Sequence, residues 1–265
     1  MPKVKVCVLR TAGTNCDKET AFAFAQAGAE TELVHINSLV QGDKELVDYQ
    51  ILALPGGFSY GDDLASGKVF ANELKCKLSA ALKKFVEQGK LIIGICNGFQ
   101  ILAKSGFLPG NKDFEQETSL IINDSGKFED RWVYLRGQKT ENRRQKCVWT
   151  KDLPEVIYLP VAHGEGKFIV KDSSVLNRLK KNNQIVLKYC NAQGKSSGYP
   201  DNPNGSQEDI AGICDETGRI LGLMPHPERH IRFSQHPRWF NSKIKKQGDG
   251  LTIFKNGVEY ARKLL

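Results

Sequence analysis

The chain has 265 residues, of which 40% are hydrophobic and 26% charged, a composition that carries a globular core and excludes collagen-like and disordered classes. Thirty-eight Lys and Arg against thirty Asp and Glu give a formal charge of +8, which suits phosphorylated ligands, nucleic acid or an acidic protein without choosing among them. No apolar run approaches the ~18 residues that span a bilayer, and residues 1–10 alternate Lys with Val rather than forming a signal region, so a soluble, cytoplasmic protein is expected.

Residues 4–9, Val-Lys-Val-Cys-Val-Leu, read as a first strand, and the polar cluster Thr14-Asn15-Cys16-Asp17 opens an Ala-rich helix ending near Gly28. A second strand over 32–36 and a third over 49–54 follow, the third closed by Pro55-Gly56-Gly57. This repeated βα step predicts a parallel sheet. Leu74, Leu78, Leu82 and Phe85 recur at helical spacing, with Gly89 placed as a C-terminal cap. Residues 91–96 are apolar on both faces, the pattern of a central parallel strand, and a helix is expected to begin at Asn97. Beyond Gly106 short β-like runs at 119–122, 132–135, 148–149, 168–170, 185–189, 210–213 and 220–224 alternate with turns, which makes the second half β-rich. Residues 138–146 are the most loop-like stretch, 199–206 is a long turn by composition, and Phe254, Val258, Ala261 and Leu265 mark a closing amphipathic helix.

Cys7, Cys16, Cys76, Cys96, Cys147, Cys190 and Cys214 include no Cys-x-x-Cys, so neither a disulfide framework nor a structural zinc is expected, and no metal is predicted. The basic pairs Lys83-Lys84, Arg143-Arg144 and Lys180-Lys181 and the run at 243–246 lack interleaved aromatics, a weak nucleic-acid signature that reads as solvated surface. Gly194-Lys195-Ser196 is not a phosphate loop, because Tyr189 stands where the first glycine belongs.

Gly94-Ile95-Cys96-Asn97-Gly98 has the spacing of a nucleophile elbow: a residue at the tip of a tight strand-to-helix turn needs small neighbours two positions away on each side. The helix N-terminus favours a thiolate there, and the Asn97 amide can donate to a developing oxyanion. Such a thiol needs a base, and the chain has five histidines, His35, His163, His226, His230 and His236. His226 stands out, since Pro225 and Pro227 stiffen its turn and Glu228 can bond one ring nitrogen while the other faces Cys96. His35 is expected in the core, His230 and His236 on the surface. Gly56-Gly57, after a strand adjacent to the elbow strand, can aim a main-chain N–H at the attacked carbon.

These residues resemble the class I (triad) glutamine amidotransferases, and within them the glutaminase subunits of phosphoribosylformylglycinamidine synthase. The resemblance runs nearly end to end through Gly13-Thr-Asn-Cys-Asp17, Pro55-Gly-Gly-Phe-Ser-Tyr-Gly-Asp62, Gly94-Ile-Cys-Asn-Gly-Phe-Gln100, His163-Gly-Glu-Gly166, Tyr199-Pro-Asp-Asn-Pro-Asn-Gly-Ser206 and Met224-Pro-His-Pro-Glu228. It implies a single flavodoxin-like, three-layer α/β domain over residues 1–265, with a mostly parallel central sheet. It further implies Cys96 as nucleophile, His226 as proton shuttle, Glu228 as its orienting carboxylate, backbone oxyanion donors at Gly57 and Asn97, and Gln100 as a holder of the substrate glutamine. Residues 123–131 and the His163 loop are implied as pocket lining. No cofactor is implied in this chain; ATP and Mg belong to a synthetase partner that receives ammonia, with room for a small bridging subunit. Ammonia is mostly protonated near neutral pH, so a sheltered path and a docking face are expected; the 59–62 loop and the 199–206 turn are the candidates.

Two other classes compete. A cysteine hydrolase or deglycase/chaperone of the same superfamily normally has histidine directly after the cysteine, where this chain has Asn97. A non-catalytic binding module would have no need of an intact Cys96, His226 and Glu228.

Overall fold

In a computed structural model, which describes residues 3–111, 113–137, 147–241 and 247–264, strand β1 (Lys5–Arg10) buries Val6, Cys7, Val8 and Leu9 on both faces. Helix α1 (Asp17–Gln26) follows, with Asp17 and Glu19 in the first turn, where carboxylates complement the helix dipole. The chain continues through β2 (Glu30–His35), the short α2 (Ile36–Val40) and β3 (Ile51–Leu54). Strand β2 starts two residues earlier than its sequence pattern indicates, and Tyr49 and Gln50, the first residues of the expected third strand, follow a 3-10 turn, Leu46–Asp48, ahead of β3.

The apolar stripe of Leu74, Leu78, Leu82 and Phe85 is buried as its spacing predicts, but on two helices rather than one: α3 (Lys68–Lys77) and α4 (Ser79–Glu87). The chain leaves helical geometry at Leu78, φ −122° and ψ 8°. A break of one residue preserves the four-residue spacing, so periodicity alone does not reveal it. At the end of α4, Gly89 takes φ +77° while its N–H donates to Val86 and that of Lys90 to Phe85, the Schellman arrangement that leaves a left-handed position for glycine. Strand β4 (Leu91–Ile95) is fully buried and leads into α5 (Asn97–Lys104).

The second half adds β5 (Thr118–Ile121), β6 (Glu129–Gly137), β7 (Val156–His163), β8 (Lys167–Val170), α6 (Ser173–Lys181), β9 (Ile185–Cys190), β10 (Ile210–Cys214), β11 (Ile220–Leu223) and α7 (Leu251–Ala261). Nine strands form one sheet in the order β2-β1-β3-β4-β11-β10-β9-β6-β7, and β5 pairs with β8 apart from it. The first five strands of that order are mutually parallel and the remaining pairings are antiparallel. Right-handed crossovers that step in opposite directions from β1 put their helices on opposite faces. Thus α1, which packs with α7, covers one face, and α3 and α5 pack together on the other.

Three segments depart from the sequence reading. Residues 148–149 form part of a 3-10 turn, Val148–Thr150, not a strand: Trp149 is fully buried edge-on to Phe24, its Nε1 donating to the Arg219 carbonyl at 2.9 Å. Strand β7 and helix α6 carry no sequence signal in the reading above. Pro160 interrupts the apolar run of β7, and is tolerated because β7 is the edge of the sheet. Helix α6 is announced by Asp172, whose side chain accepts from the Ser174 and Val175 amides. The loop-like stretch 138–146, the basic run 243–246 and Leu265 lie outside the described residues. No helix among the described residues is long and apolar enough to cross a membrane.

Candidate active site

Loops leaving the carboxyl ends of the parallel strands β1, β3, β4 and β11 converge, the usual crevice of an open α/β sheet. Cys96 stands between β4 and α5 with φ +52° and ψ −107°, a strained geometry for a side-chain-bearing residue that costs about 1–3 kcal/mol. The flanking glycines show what enforces it. A Cβ on Gly94 would lie 2.5 Å from the Gly98 carbonyl oxygen, and one on Gly98 would lie 1.9 Å from that of Leu54. Strand and helix therefore cross too closely for any side chain at either position. The Cys96 N–H donates to Leu223 at 2.8 Å, fixing the turn to β11, and its thiol points toward the Ala162 carbonyl at 3.7 Å.

His226 follows β11. Its main-chain N–H donates to the Pro160 carbonyl at 2.8 Å, so edge strand β7 braces the turn from behind. Its Nδ1 lies 2.6 Å from Glu228 Oε1, both side chains being buried. Nε2 makes no formed hydrogen bond among the described residues and feels both sulfurs, Cys96 and Cys16. Burial alone would depress the imidazole's pKa; the Glu228 carboxylate and the Cys96 sulfur outweigh that and hold it well above the ordinary histidine value.

Gly56 and Gly57 form the third wall. A Cβ on Gly56 would sit 2.8 Å from His226 Cε1, 3.1 Å from Cys16 Sγ and 3.5 Å from Cys96 Cβ. Gly57 has φ +146°, and a Cβ there would meet the Gly13 carbonyl oxygen at 2.7 Å. The loop after β1 holds this turn by main-chain bonds from Cys16 to Gly56 and from Phe58 to Gly13. The Asn97 amide belongs to the first turn of α5, where N–H groups have no intrahelical acceptor. The geometry thus offers a thiol and an imidazole braced by a carboxylate, beside a glycine turn and a helix N-terminus.

Gln100, implied as a holder of the substrate, is tied into the protein at both ends of its amide. Its Oε1 accepts from Asn97 Nδ2 at 2.9 Å and its Nε2 donates to the Glu165 carbonyl at 2.6 Å, leaving a buried side chain whose two ends are both engaged within the protein. It belongs to a network: Asn97 Nδ2 also donates to Asp62, Asn97 Oδ1 accepts from Ser59 N, and the buried Lys104 ammonium donates to the Ser66 carbonyl at 2.5 Å beside Glu165. Burial lowers the Lys104 pKa. The network ties the 59–67 loop to the loop after β7.

His163, at the end of β7, is buried, and burial, aided by the nearby His226 charge, holds its pKa down to about 3, so it is neutral. Asn204 Nδ2 lies 3.4 Å from its Nε2 and donates to Tyr189 Oη at 3.2 Å, while Asn123 Nδ2 donates to the His163 carbonyl at 2.8 Å. In the 199–206 turn Asn202, Asn204 and Ser206 face inward and Tyr199 is 62% exposed, stacked under Arg131 at 4.9 Å. Phe58 and Phe128 are exposed together, ring centroids 6.4 Å apart. Of the other histidines, His35 is half-buried and caps α2 by accepting from Asn37 N rather than filling the core, and His236 is half-buried. His230, expected on the surface, is buried against Trp132 with Nδ1 2.7 Å from the Tyr158 carbonyl oxygen.

Cys16 and Arg229, to which the sequence assigns no role, also line this site. Cys16 is buried against His226, its thiol donating to Asn15 Oδ1 at 3.1 Å and its sulfur accepting from Arg229 Nη2 at 3.2 Å. Potential ligand atoms of Cys16, His226 and Glu228 lie within 4.8 Å of one another. Spacing along the chain could not show this, although the position of Cys16 just beyond a parallel strand was a usable signal.

Residues 3–261 match the family model of the CobB/CobQ-like glutamine amidotransferase domain. The chain is 52% identical over its whole length, and the whole of the relative's, to the phosphoribosylformylglycinamidine synthase subunit PurQ of Dehalococcoides mccartyi. It is 46% identical to the protein of that name from Methanococcus maripaludis, over 98% of each chain. Among solved structures it resembles one described as PurLQS from Thermotoga maritima, with a TM-score of 0.73, 34% identity and coverage of 98% of this chain and 99% of that one. A glutamine amidotransferase from the same organism, 15% identical with a TM-score of 0.52, shares the fold.

Proposed function

The chain belongs to the CobB/CobQ-like glutamine amidotransferase family, and from that premise we propose that it is the glutamine-hydrolysing subunit of phosphoribosylformylglycinamidine synthase, supplying ammonia for purine biosynthesis in the cytoplasm. The observation that carries this reading is one cluster: a cysteine at φ +52° beside an imidazole whose far nitrogen is 2.6 Å from a buried carboxylate.

In the proposed reaction the Cys96 proton resides on His226, whose imidazolium the Glu228 carboxylate and the Cys96 sulfur favour, and the sulfur attacks the side-chain amide carbon of glutamine. Main-chain N–H groups at Gly57 and Asn97 receive the developing oxyanion. The imidazolium then protonates the departing nitrogen, releasing ammonia and leaving a γ-glutamyl thioester on Cys96. Water, deprotonated by His226, attacks the thioester; glutamate leaves and the thiol is restored. Glu228 keeps the ring in the tautomer with Nε2 facing the sulfur and offsets the imidazolium's charge. Gln100 acts by position, holding the loop after β7 against α5. No group beyond the chain's own residues is required for these steps.

Ammonia freed into bulk water would be protonated and lost as a nucleophile, so the product is handed to a synthetase chain that binds ATP and Mg, in an assembly with a further small chain. The likeness to the PurLQS structure supports this assembly. The exposed Phe58, Phe128 and Tyr199 rim the candidate docking loops. Glutamate release assayed with and without the synthetase tests the reading: the wild type is expected to hydrolyse glutamine, most strongly in the complex, and Cys96→Ala to be inactive. A wild-type chain that consumes no glutamine with its synthetase present overturns it.

A further inference from the structure

We propose that Asp62 is a positioning residue for the reaction, tying the Gly57 turn to the first turn of α5 so that the two proposed oxyanion donors, the main-chain N–H groups of Gly57 and Asn97, stay in register. The inference rests on the reading of this site as a glutaminase centre and gives a role to a side chain outside the triad. The two donors lie on different segments, one after β3 and the other after β4. The loop that leaves Gly57 reaches α5 through side-chain bonds: Ser59 N donates to Asn97 Oδ1 at 3.3 Å, and Asn97 Nδ2 donates to Asp62 Oδ1 at 3.2 Å. With a further bond from Nδ2 to Gln100 Oε1 at 2.9 Å, both polar atoms of the buried Asn97 side chain are engaged. Asn97 is the first residue of α5, so whatever holds its side chain also holds the peptide unit next to Cys96.

Asp62 can anchor Asn97 because its own loop is held. Tyr60, Gly61 and Asp62 take φ +55°, +72° and +55° in succession, a left-handed run that side-chain-bearing residues adopt at a cost and keep only where the surroundings enforce it. Tyr60 N donates to the Ala12 carbonyl at 2.9 Å, Gly61 N to that of Phe58 at 2.9 Å, and Tyr60 Oη to the Glu73 carboxylate. Gly67 N closes the loop by donating to Asp62 Oδ1 at 3.1 Å. One carboxylate oxygen thus receives both the amide that closes the loop and the Asn97 amide that the loop steers. A short side chain that tolerates the left-handed region and carries an acceptor is what this place requires, which limits it to Asp or Asn.

The test uses the full chain assembled with its synthetase and follows glutamate release. Losing the acceptor loosens a donor that acts on the transition state and not on bound glutamine, so Asp62→Ala is expected to lower kcat by about tenfold or more with KM changed by less than about twofold. Asp62→Gly removes the same acceptor where φ +55° has no steric cost, and is expected to behave alike. Asp62→Asn keeps an Oδ1 acceptor and the left-handed turn, and should restore kcat to within about threefold of the wild type. Alkylation of Cys96 by iodoacetamide, a displacement that forms no oxyanion, should run at the wild-type rate in all three variants, which separates a misplaced donor from a disturbed nucleophile. Wild-type kcat in both Asp62→Ala and Asp62→Gly overturns the inference, as does a loss shared equally by Asp62→Asn, a loss expressed in KM, or alkylation slowed in parallel with kcat. Unfolding of both truncated variants, read by circular dichroism, would make Asp62 a folding residue and overturns it too. A wild type that releases no glutamate fails at a different point: it removes the glutaminase reading, and this role with it.

Discussion

The two halves of the sheet build the same crevice by opposite means. On the parallel side the geometry is set by missing side chains: Gly94, Gly98, Gly56 and Gly57 let strands, helix and turns approach within distances that no Cβ permits. On the antiparallel side it is set by buried polar side chains, with Asn123, Asn202, Asn204 and Ser206 satisfying one another and the main chain around His163. Backbone contact fixes Cys96 in its strained geometry, while the hydrogen-bonded frame shapes the space in front of it. The lesson is that a mutation's cost should depend on which half it falls in: a single methyl group in the first, a lost partner in the second.

Gly98→Ala is expected to be the most damaging change, because its methyl carbon would lie 1.9 Å from the Leu54 carbonyl oxygen, an atom of the sheet that cannot rotate away. Urea unfolding should show a loss of about 3 kcal/mol or more, or no folded protein. Glu228→Gln keeps the shape of the braced imidazole but not its charge, and should lower kcat for glutamine hydrolysis by about 10³–10⁴-fold with the fold retained, as read by steady-state kinetics alongside circular dichroism. In the antiparallel half, Asn204→Ala removes the partner of Tyr189 Oη and of the Ser206 hydroxyl. It should cost about 1–3 kcal/mol in the same unfolding experiment.

His163 sharpens the comparison through pH. It is neutral and buried with its pKa held down to about 3, whereas in the unfolded chain it titrates near 6.5. Between those values the unfolded state binds the extra proton, so this residue's contribution to stability is complete above about pH 6.5 and falls by at most ~1.4 kcal/mol per pH unit as pH drops toward 3. His163→Gln should flatten that part of a stability–pH curve; an unchanged slope would show that the residue is not held neutral. Smallest of all is Gly164→Ala, whose Cβ would meet only Phe128 at 3.9 Å. A change within about 0.5 kcal/mol is expected, and a large loss there would erase the distinction between the halves.

The parallel half was the more legible in sequence for the same physical reason. Fully buried strands are continuous apolar runs, and an elbow demands glycine at fixed offsets, so β4, Cys96 and the turn at Gly56 could be read directly. The frame of the second half is written in Asn, Ser and Pro, residues that also compose ordinary turns, and the 199–206 segment reads as a turn by composition although its Asn202, Asn204 and Ser206 are buried. Strand β7 was hidden by Pro160, the break at Leu78 by an apolar spacing that runs through it, and helix α6 by having few apolar residues among its charges. Gln100 fits the family pattern by position, and the structure adds what the motif does not show, that its amide bonds Asn97 and the Glu165 carbonyl. Cys16, quoted in a family motif but given no role there, is brought by the fold against the His226 imidazole.

The account rests on Cys96 being the atom that glutamine acylates. Acid-quenching the chain during turnover of glutamine with its synthetase, followed by peptide mass spectrometry, should find a γ-glutamyl adduct on the peptide carrying Cys96 and none on that carrying Cys16. Glutamate release with no adduct on Cys96, or with the adduct on Cys16, would contradict it.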